Sequence, residues 1–259
     1  MSSHPPTPFG AERKQHLLDA LRADGRLDAA EMAARLRVTG ETVRKDLIQL
    51  ERQGLLRRVH GGAVPVDQLS YEPAVSARTE HAAEKTRIAR AALAQLPARG
   101  SILIDAGSTT AKLAEVLPRD VELTVYTNTL TVALALVNRP RLTVFTVGGR
   151  LRSRTLAEVD DFAARALAEI NVDVAFLGTN GISLERGLTT PDQAEAAIKR
   201  RMLGAARRRV FLADHSKVGL VSGSQHAEIA DIDLLITDDG LDSGSRRSLE
   251  SAGVHILCV

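Results

Sequence analysis

The chain has 259 residues, enough for one or two domains, with 44% hydrophobic and 25% charged residues, the balance of an ordinary globular protein. Aromatic content of 3% with no Trp leaves few rings for stacking on bases, which argues against a single-strand RNA reader, and one cysteine excludes an intramolecular disulfide or thiolate metal cluster. The net charge of +2 is uneven: residues 1–65 carry 11 Lys and Arg against 8 Asp and Glu, a surplus of +3, and the remainder sits at −1.

The opening MSSHPPTPFG lacks the basic start and apolar core of a signal peptide, so residues 1–10 read as a flexible leader. No apolar run approaches the length of a membrane span, and the expected location is the cytoplasm. Leu17, Leu18 and Leu21 give the spacing of a first helix, ended by Asp24-Gly25. Asp28 can cap a second helix built on Ala29, Met32, Ala33 and Leu36. After a short turn at Arg37-Val38, Thr39 is an N-cap for a third helix with Val43, Leu47 and Leu50 on one face. Glu41, Lys45 and Arg52 lie opposite, Thr42 and Arg44 fall on the flanks, and Gly54 ends the helix. LLRRVHGGAV then reads as a strand, a tight Gly61-Gly62 turn and a second strand.

Three short helices followed by a hairpin make a winged helix-turn-helix over residues 11–66. The third helix is expected in a DNA major groove, with Thr39, Thr42, Arg44 and Lys45 near base edges. Arg57, Arg58 and His60 on the wing are expected at phosphate or in the minor groove. Alone, the basic helix also fits a solvated surface; the order of elements favours the DNA reading. Residues 67–84 read as a linker.

From residue 85 to 259 the pattern changes. SILIDAG, ELTVYTN, RLTVFTVGG, VDVAFLGTNG, RVFLAD and DLLITDDG are short aliphatic runs ending in small or polar residues. Helical stretches lie between them at Lys85–Leu96, Thr110–Leu117, Thr129–Val137, Leu156–Ile170 and Pro191–Ala206. That alternation predicts an α/β domain with a buried, mostly parallel sheet. Thr190-Pro191-Asp192-Gln193 has the form of a helix start with Thr as the cap.

VTGETVRKDLIQLERQGLLRRVHGGA, residues 38–63, resembles the N-terminal signature of DeoR-family bacterial transcriptional regulators. Thr39 stands where that family usually has Ser, Val43 replaces Ile, and Lys45 replaces a second Arg, keeping the charge but losing a bidentate fork. The resemblance implies that Asp46 and Glu51 face inward as structural partners. It extends over nearly the whole chain and implies a C-terminal sensor domain similar to ribose-5-phosphate isomerases and CoA-transferases.

The chemistry of that domain is legible in part. ILIDAGSTTAKLAEVL is a strand, a small-residue loop and a helix; the N–H groups of Gly107, Ser108 and Thr109 form an anion cradle, with Thr110 beside them. The loop lacks the Gly-Lys-Ser/Thr ending of a P-loop and the Gly-x-Gly-x-x-Gly of a dinucleotide site. Further polar or small residues at strand ends are Thr127, Asn128, Gly149 and Arg150, then Asn180 and Gly181. Asp105, Asp214 and Lys217 suit sugar hydroxyls, and Arg150 or Lys217 suits phosphate. Lys199 matches a lysine that recurs in the family's sensor domain, although beside Arg200 and Arg201 it also fits a solvated helix face. Asp160 and Asp161 either contact ligand hydroxyls or cap a helix starting near Phe162.

TLAEVDDFA through LADHSKVG looks most like the phosphotransferase-system sugar repressors of actinobacteria, fructose repressors included. The resemblance therefore implies a homo-oligomeric repressor that binds double-stranded operator DNA and is released by a phosphorylated sugar such as fructose 1-phosphate, with no cofactor and no metal. Two alternatives stay open: a sugar-phosphate isomerase with an accessory DNA-binding domain, and an activator. Against the enzyme, LGTNG offers no second carboxylate for proton transfer.

Overall fold

The computed structural model describes residues 10–24, 26–59, 61–64 and 72–259, except the side chains of Arg22, Ala23, Arg57 and Val59. Residues 1–9, Gly25, His60 and residues 65–71 lie outside them, and with them most of the leader, one wing residue and the first part of the expected linker. The chain divides into two compact units, Met1–Pro73 and Ala74–Val259.

In the first unit α1 (Gly10–Asp24), β1 (Leu27–Asp28), α2 (Ala29–Leu36), α3 (Gly40–Arg52), β2 (Arg57–Val59) and β3 (Gly62–Val64) follow in order. Asp28 caps α2 by accepting hydrogen bonds from Ala30 N at 2.9 Å and Glu31 N at 3.0 Å. Thr39 caps α3 by accepting from Thr42 N at 3.1 Å. Between the two helices Arg37 takes the left-handed conformation, φ 54°, which keeps the turn tight. Gly54 closes α3 at φ 71°, with Leu55 N donating to Leu50 O and Gly54 N to Glu51 O, the paired bonds of a Schellman motif. Leu17, Leu21, Val43, Leu47 and Leu50 are buried together, joined by Leu56 and Ala63 of the wing region.

The wing is a three-stranded sheet ordered β1-β3-β2 rather than a two-stranded hairpin. This gives its two glycines different reasons. Gly61 occupies φ 79° in the turn. Gly62 is forced by contact: a Cβ there would lie 1.8 Å from the carbonyl oxygen of Leu27 on β1.

The second unit contains α4 (Ala82–Ala92), β4 (Gly100–Ile104), α5 (Ser108–Val116), β5 (Leu123–Thr127), α6 (Leu130–Leu136), β6 (Leu142–Thr146), β7 (Arg150–Leu151), β8 (Glu158–Val159) and α7 (Asp160–Ala168). It continues with β9 (Val172–Leu177), β10 (Gly181–Ser183), β11 (Gly187–Thr190), α8 (Gln193–Ala205), β12 (Ala206–Leu212), β13 (Ser224–Ala227), β14 (Leu234–Thr237), α9 (Ser243–Ser251) and β15 (Ile256–Cys258). Seven strands form a wholly parallel sheet ordered β15-β14-β12-β9-β4-β5-β6. Alternate residues feed opposite cores. Ile102 and Ile104 pack with Ile88, Leu113 and Val132 from α4, α5 and α6. Leu103 points the other way, into the cluster of Leu167, Ile198 and Met202 from α7 and α8.

All six expected strands are present. The short pieces β1, β7, β8 and β15, the antiparallel sheet β10-β11-β13 and α9 go beyond the sequence reading. One expectation needs correcting: Thr190 does not cap α8. It pairs with Ser224 in the small sheet, so the helix starts later, capped by Asp192, whose side chain accepts from Glu195 N at 2.9 Å. Part of the expected linker also belongs to the second unit, where Val75 N donates to Arg154 O at 2.7 Å and α4 begins at Ala82.

Gly62→Ala should destabilise the first unit by about 1–3 kcal/mol, because the obstructing atom is backbone and cannot swing away. Urea unfolding followed by circular dichroism measures the loss; an unchanged midpoint would show that β1 yields freely.

Candidate functional site

On α3, Arg44 and Lys45 are exposed, Thr42 is half-buried, and Thr39 is exposed at the cap with its hydroxyl 2.8 Å from that of Thr42. Arg44 pairs with Glu41 at 2.8 Å in full solvent, a contact weak enough to exchange for another acceptor. Two of the three acidic residues of the helix, Asp46 and Glu51, are tied to residues outside it. Asp46 is buried on the stripe of Val43, Leu47 and Leu50 and bonds Arg13 of α1. Its hydrogen bond is the first cause holding the Arg13 guanidinium above its usual pKa.

Glu51 accepts from Arg58 N at 2.9 Å and Arg58 Nε at 2.7 Å. Burial pushes its pKa up, but these bonds and the Arg58 charge outweigh that and leave it lowered. Arg58, expected at DNA, therefore also anchors the wing to α3. Arg57 lies in β2, its side chain outside the described part, and His60 lies outside the described residues altogether.

In the second unit the chain runs from β4 outward through β5 and β6, then returns to β9 on the other side of β4. The β4/β9 boundary is therefore where the strand order reverses, and open parallel sheets bind ligands in the crevice beyond such strand ends. Asp105 and Gly178 follow these two strands. Asp105 is fully buried; its Oδ2 accepts from Gly178 N at 2.9 Å and from Lys199 Nζ. Lys199 reaches in from α8 and also donates to Gly178 O at 2.9 Å. It is 4% exposed, so the solvated-face alternative fails. Arg200 and Arg201, its neighbours, are the exposed ones.

Beside this ion pair, Gly107 and Ser108 are half-buried at the start of α5, and no side chain caps that helix. Its first amides keep the orphan donors and positive dipole end that suit an anion. Asn128 Oδ1 steadies the loop by accepting from Ala106 N at 2.9 Å. Asp105 Oδ1 and Asp214 Oδ2 are buried acceptors with no hydrogen-bond partner among the described residues. The strands before them, β4 and β12, are separated by β9 alone, about 10 Å at the usual strand spacing.

Several expected site residues also have structural duties. The Thr127 hydroxyl, fully buried, donates to Ile104 O at 2.7 Å and accepts from Thr129 N. Thr110 donates to Gly107 O at 3.1 Å, and Thr109 is buried. Gly149 and Gly181 are required by backbone contacts: a Cβ would meet Val159 O and Leu220 O, each at 2.3 Å. Asn180 Oδ1 accepts from Thr190, leaving its amide nitrogen as the group able to serve a ligand. Arg150 stands on the hairpin after β6 and pairs in solvent with Asp160 at 2.6 Å. Asp160 sits in the first turn of α7 at φ 75°, and neither it nor Asp161 caps that helix, which starts at Asp160. Lys217 is half-buried in a 3-10 turn after Asp214.

Sequence reading missed Lys85 and His226, both buried. Lys85 shares a helix stripe with Ile88, Ala89 and Ala92, so its spacing was a usable signal. His226 had none, because β13 has no strand-like pattern. Its Nε2 lies 3.1 Å from the Thr179 hydroxyl. Burial first, and then the charges of Lys199 and Arg200, hold its imidazole neutral, well below the usual pKa.

Comparison with known proteins follows this division. Residues 13–68 match the DeoR-like helix-turn-helix domain, and residues 80–239 match the DeoR C-terminal sensor domain. The HTH-type transcriptional regulator GlpR of Haloferax volcanii is 39% identical, over 95% of this chain and 97% of its own. The HTH-type transcriptional repressor GlcR of Bacillus subtilis is 32% identical, over 96% of each chain. Among solved structures, ribose 5-phosphate isomerase A of Neisseria gonorrhoeae shows 18% identity and a TM-score of 0.39 over 53% of each chain.

Lys199→Met strands the Asp105 carboxylate and should cost about 3–5 kcal/mol of stability. Adding Asp105→Asn should restore part of that loss in thermal unfolding; no recovery would mean that the two groups are not coupled. A pH dependence follows from His226. The unfolded imidazole takes up its proton near pH 6.5, the folded one only far lower, so stability is full above about pH 6.5 and declines below it. The slope is at most about 1.4 kcal/mol per pH unit, and His226→Gln should flatten the difference in urea midpoint between pH 7.5 and 5.5.

Proposed function

The chain belongs to the DeoR family of transcriptional regulators, DNA-binding proteins rather than enzymes, and we propose that it is a repressor released from its operator by a phosphorylated sugar. The phosphate sits at the start of α5 and the sugar hydroxyls face Asp105 and Asp214. The observation that carries this reading is the pairing of an uncapped helix N-terminus with a buried acceptor, Asp105 Oδ1, that lacks a donor. An anion satisfies the first; a hydroxyl satisfies the second. Lys199 neutralises Asp105, so the carboxylate does not repel a phosphate held nearby.

In the first unit, Thr39, Thr42, Arg44 and Lys45 face the major groove. Lys45 supplies a point charge, and Arg44 supplies a planar fork suited to guanine. Reading a repeated operator calls for two or more copies of the chain, hence a homo-oligomer. Repression accords with relatives such as the transcriptional repressor GlcR of Bacillus subtilis and the putative aga operon transcriptional repressor of Escherichia coli. For release, the sugar must bind the DNA-free conformation more tightly, since equal affinity shifts nothing; about 1–3 kcal/mol of coupling is the usual scale.

The test is a gel-shift titration on the DNA upstream of the chain's own gene. Fructose 1-phosphate, fructose 6-phosphate, glucose 6-phosphate and glycerol 3-phosphate are added, each beside its unphosphorylated parent. Release by one phosphorylated compound but not its parent is expected; tight binding that none of them weakens would remove the sensor half of the reading. Arg44→Ala should weaken operator binding about 10- to 100-fold while leaving phosphosugar binding unchanged, and an unchanged shift would take Arg44 out of the readout.

A further inference from the structure

Lys85 opens the apolar stripe of α4 and is 5% exposed, an expensive place for an ammonium group. Its Nζ donates to Glu80 O at 2.6 Å and Arg78 O at 3.2 Å. The charges that face it are Asp214, Lys217, Arg78 and Glu80, with Asp214 the strongest attraction. Burial outweighs that attraction and lowers the Lys85 pKa.

Lys85 and Asp214 stop short of ion-pair contact. Asp214 uses Oδ1 for Ser216, accepting from its N–H and hydroxyl, while Oδ2 is buried without a partner. An ammonium has three donors, and two of those on Lys85 are taken by carbonyls. What remains is one donor on Lys85, in a region where the His81 and His215 rings, next to the Glu80 carbonyl and to Asp214 in the chain, meet at 4.9 Å, and where Asp214 Oδ2 needs a donor.

We propose that Lys85 and Asp214 form a hydroxyl subsite of the effector site, and that filling it clamps the segment 75–80 through the same ammonium group. The proposal rests on the sugar-phosphate reading above. A hydroxyl suits the gap because it accepts from Lys85 while donating to Asp214 Oδ2. A phosphate oxygen would only accept, and would meet the Asp214 carboxylate, so the phosphate stays at α5.

The consequence lies in what else Lys85 holds. Residues 75–80 directly follow Pro73, where the first unit ends. They are fastened to the second unit at Arg154 O, through Val75 N, and at Lys85. A bound hydroxyl completes the coordination of the ammonium and fixes the carbonyls of Arg78 and Glu80. Ligand occupancy thereby sets the rigidity of the chain that leads to the DNA-binding unit.

The experiment uses the full chain and two readouts: calorimetric binding of the four phosphorylated compounds, fructose 1-phosphate first, and tryptic cleavage of the Arg78–Thr79 bond. In the wild type, the compound that binds should slow this cleavage about fivefold or more, a measurement that needs no variant. Lys85→Met and Asp214→Asn should each weaken binding about tenfold or more and abolish the protection. The double variant should bind no worse than the weaker single one, since the two residues act as a unit. Melting curves confirm that the variants fold.

Binding by both variants within about twofold of wild type would overturn the subsite while leaving the sugar-phosphate reading intact. Wild-type binding without protection at Arg78 would overturn the clamp. Failure of the wild type to bind any of the four would overturn the sugar-phosphate reading and the subsite together.

Discussion

The second unit is organised around one buried ion pair, Asp105 with Lys199. Neither charge can be left alone in an apolar interior, so each fixes the other's surroundings. Asp105 must remain at the end of β4, Gly178 at the end of β9, and α8 must lie where its lysine reaches both. The pair thus ties together the two strands between which the sheet reverses direction. It also limits what the crevice can bind. One carboxylate oxygen is consumed, the other has no donor among the described residues, and the charge of the pair is close to neutral.

Inward-facing carboxylates play the same part in the first unit. Asp46 spends its charge on Arg13, and Glu51 on Arg58, so two acids of α3 are withdrawn from the surface that Arg44 and Lys45 present. The net surplus of the first 65 residues is only +3, yet the face meant for a polyanion is more positive than that sum suggests. Arg58 gives up some direct reach toward DNA in return for holding the wing against the helix. The wing has little choice of position in any case, since Gly62 lies hard against β1.

Two of the buried groups are only partly engaged. Lys85 spends two of its three donors on the carbonyls of Arg78 and Glu80, just after the unit boundary, and Asp214 Oδ2 is buried with no partner among the described residues. A direct ion pair between two buried charges adds little stability, because desolvation offsets the attraction. A group that can be completed from outside is instead a means for a small molecule to change the free energy of a segment it does not otherwise touch.

Sequence alone settled the elements whose signal is local. Helix caps at Asp28 and Thr39, the Gly54 stop and six aliphatic strands could be read because each depends on neighbours within a few residues. The third helix with its exposed Arg44 and Lys45 was legible for the same reason, and so was the small-residue loop that opens α5 at Gly107 and Ser108. Tertiary structure decided what depends on distant partners. The structural duties of Thr127, Gly149 and Gly181, set by Ile104, Val159 and Leu220, could not be read in sequence. Lys199 looked as much like surface as site until burial and Asp105 assigned it. The same holds for Thr190, drawn into the small sheet by β13. A side chain's role in a buried site is set by the charges and donors that the fold brings to it, and these come from residues tens of positions away.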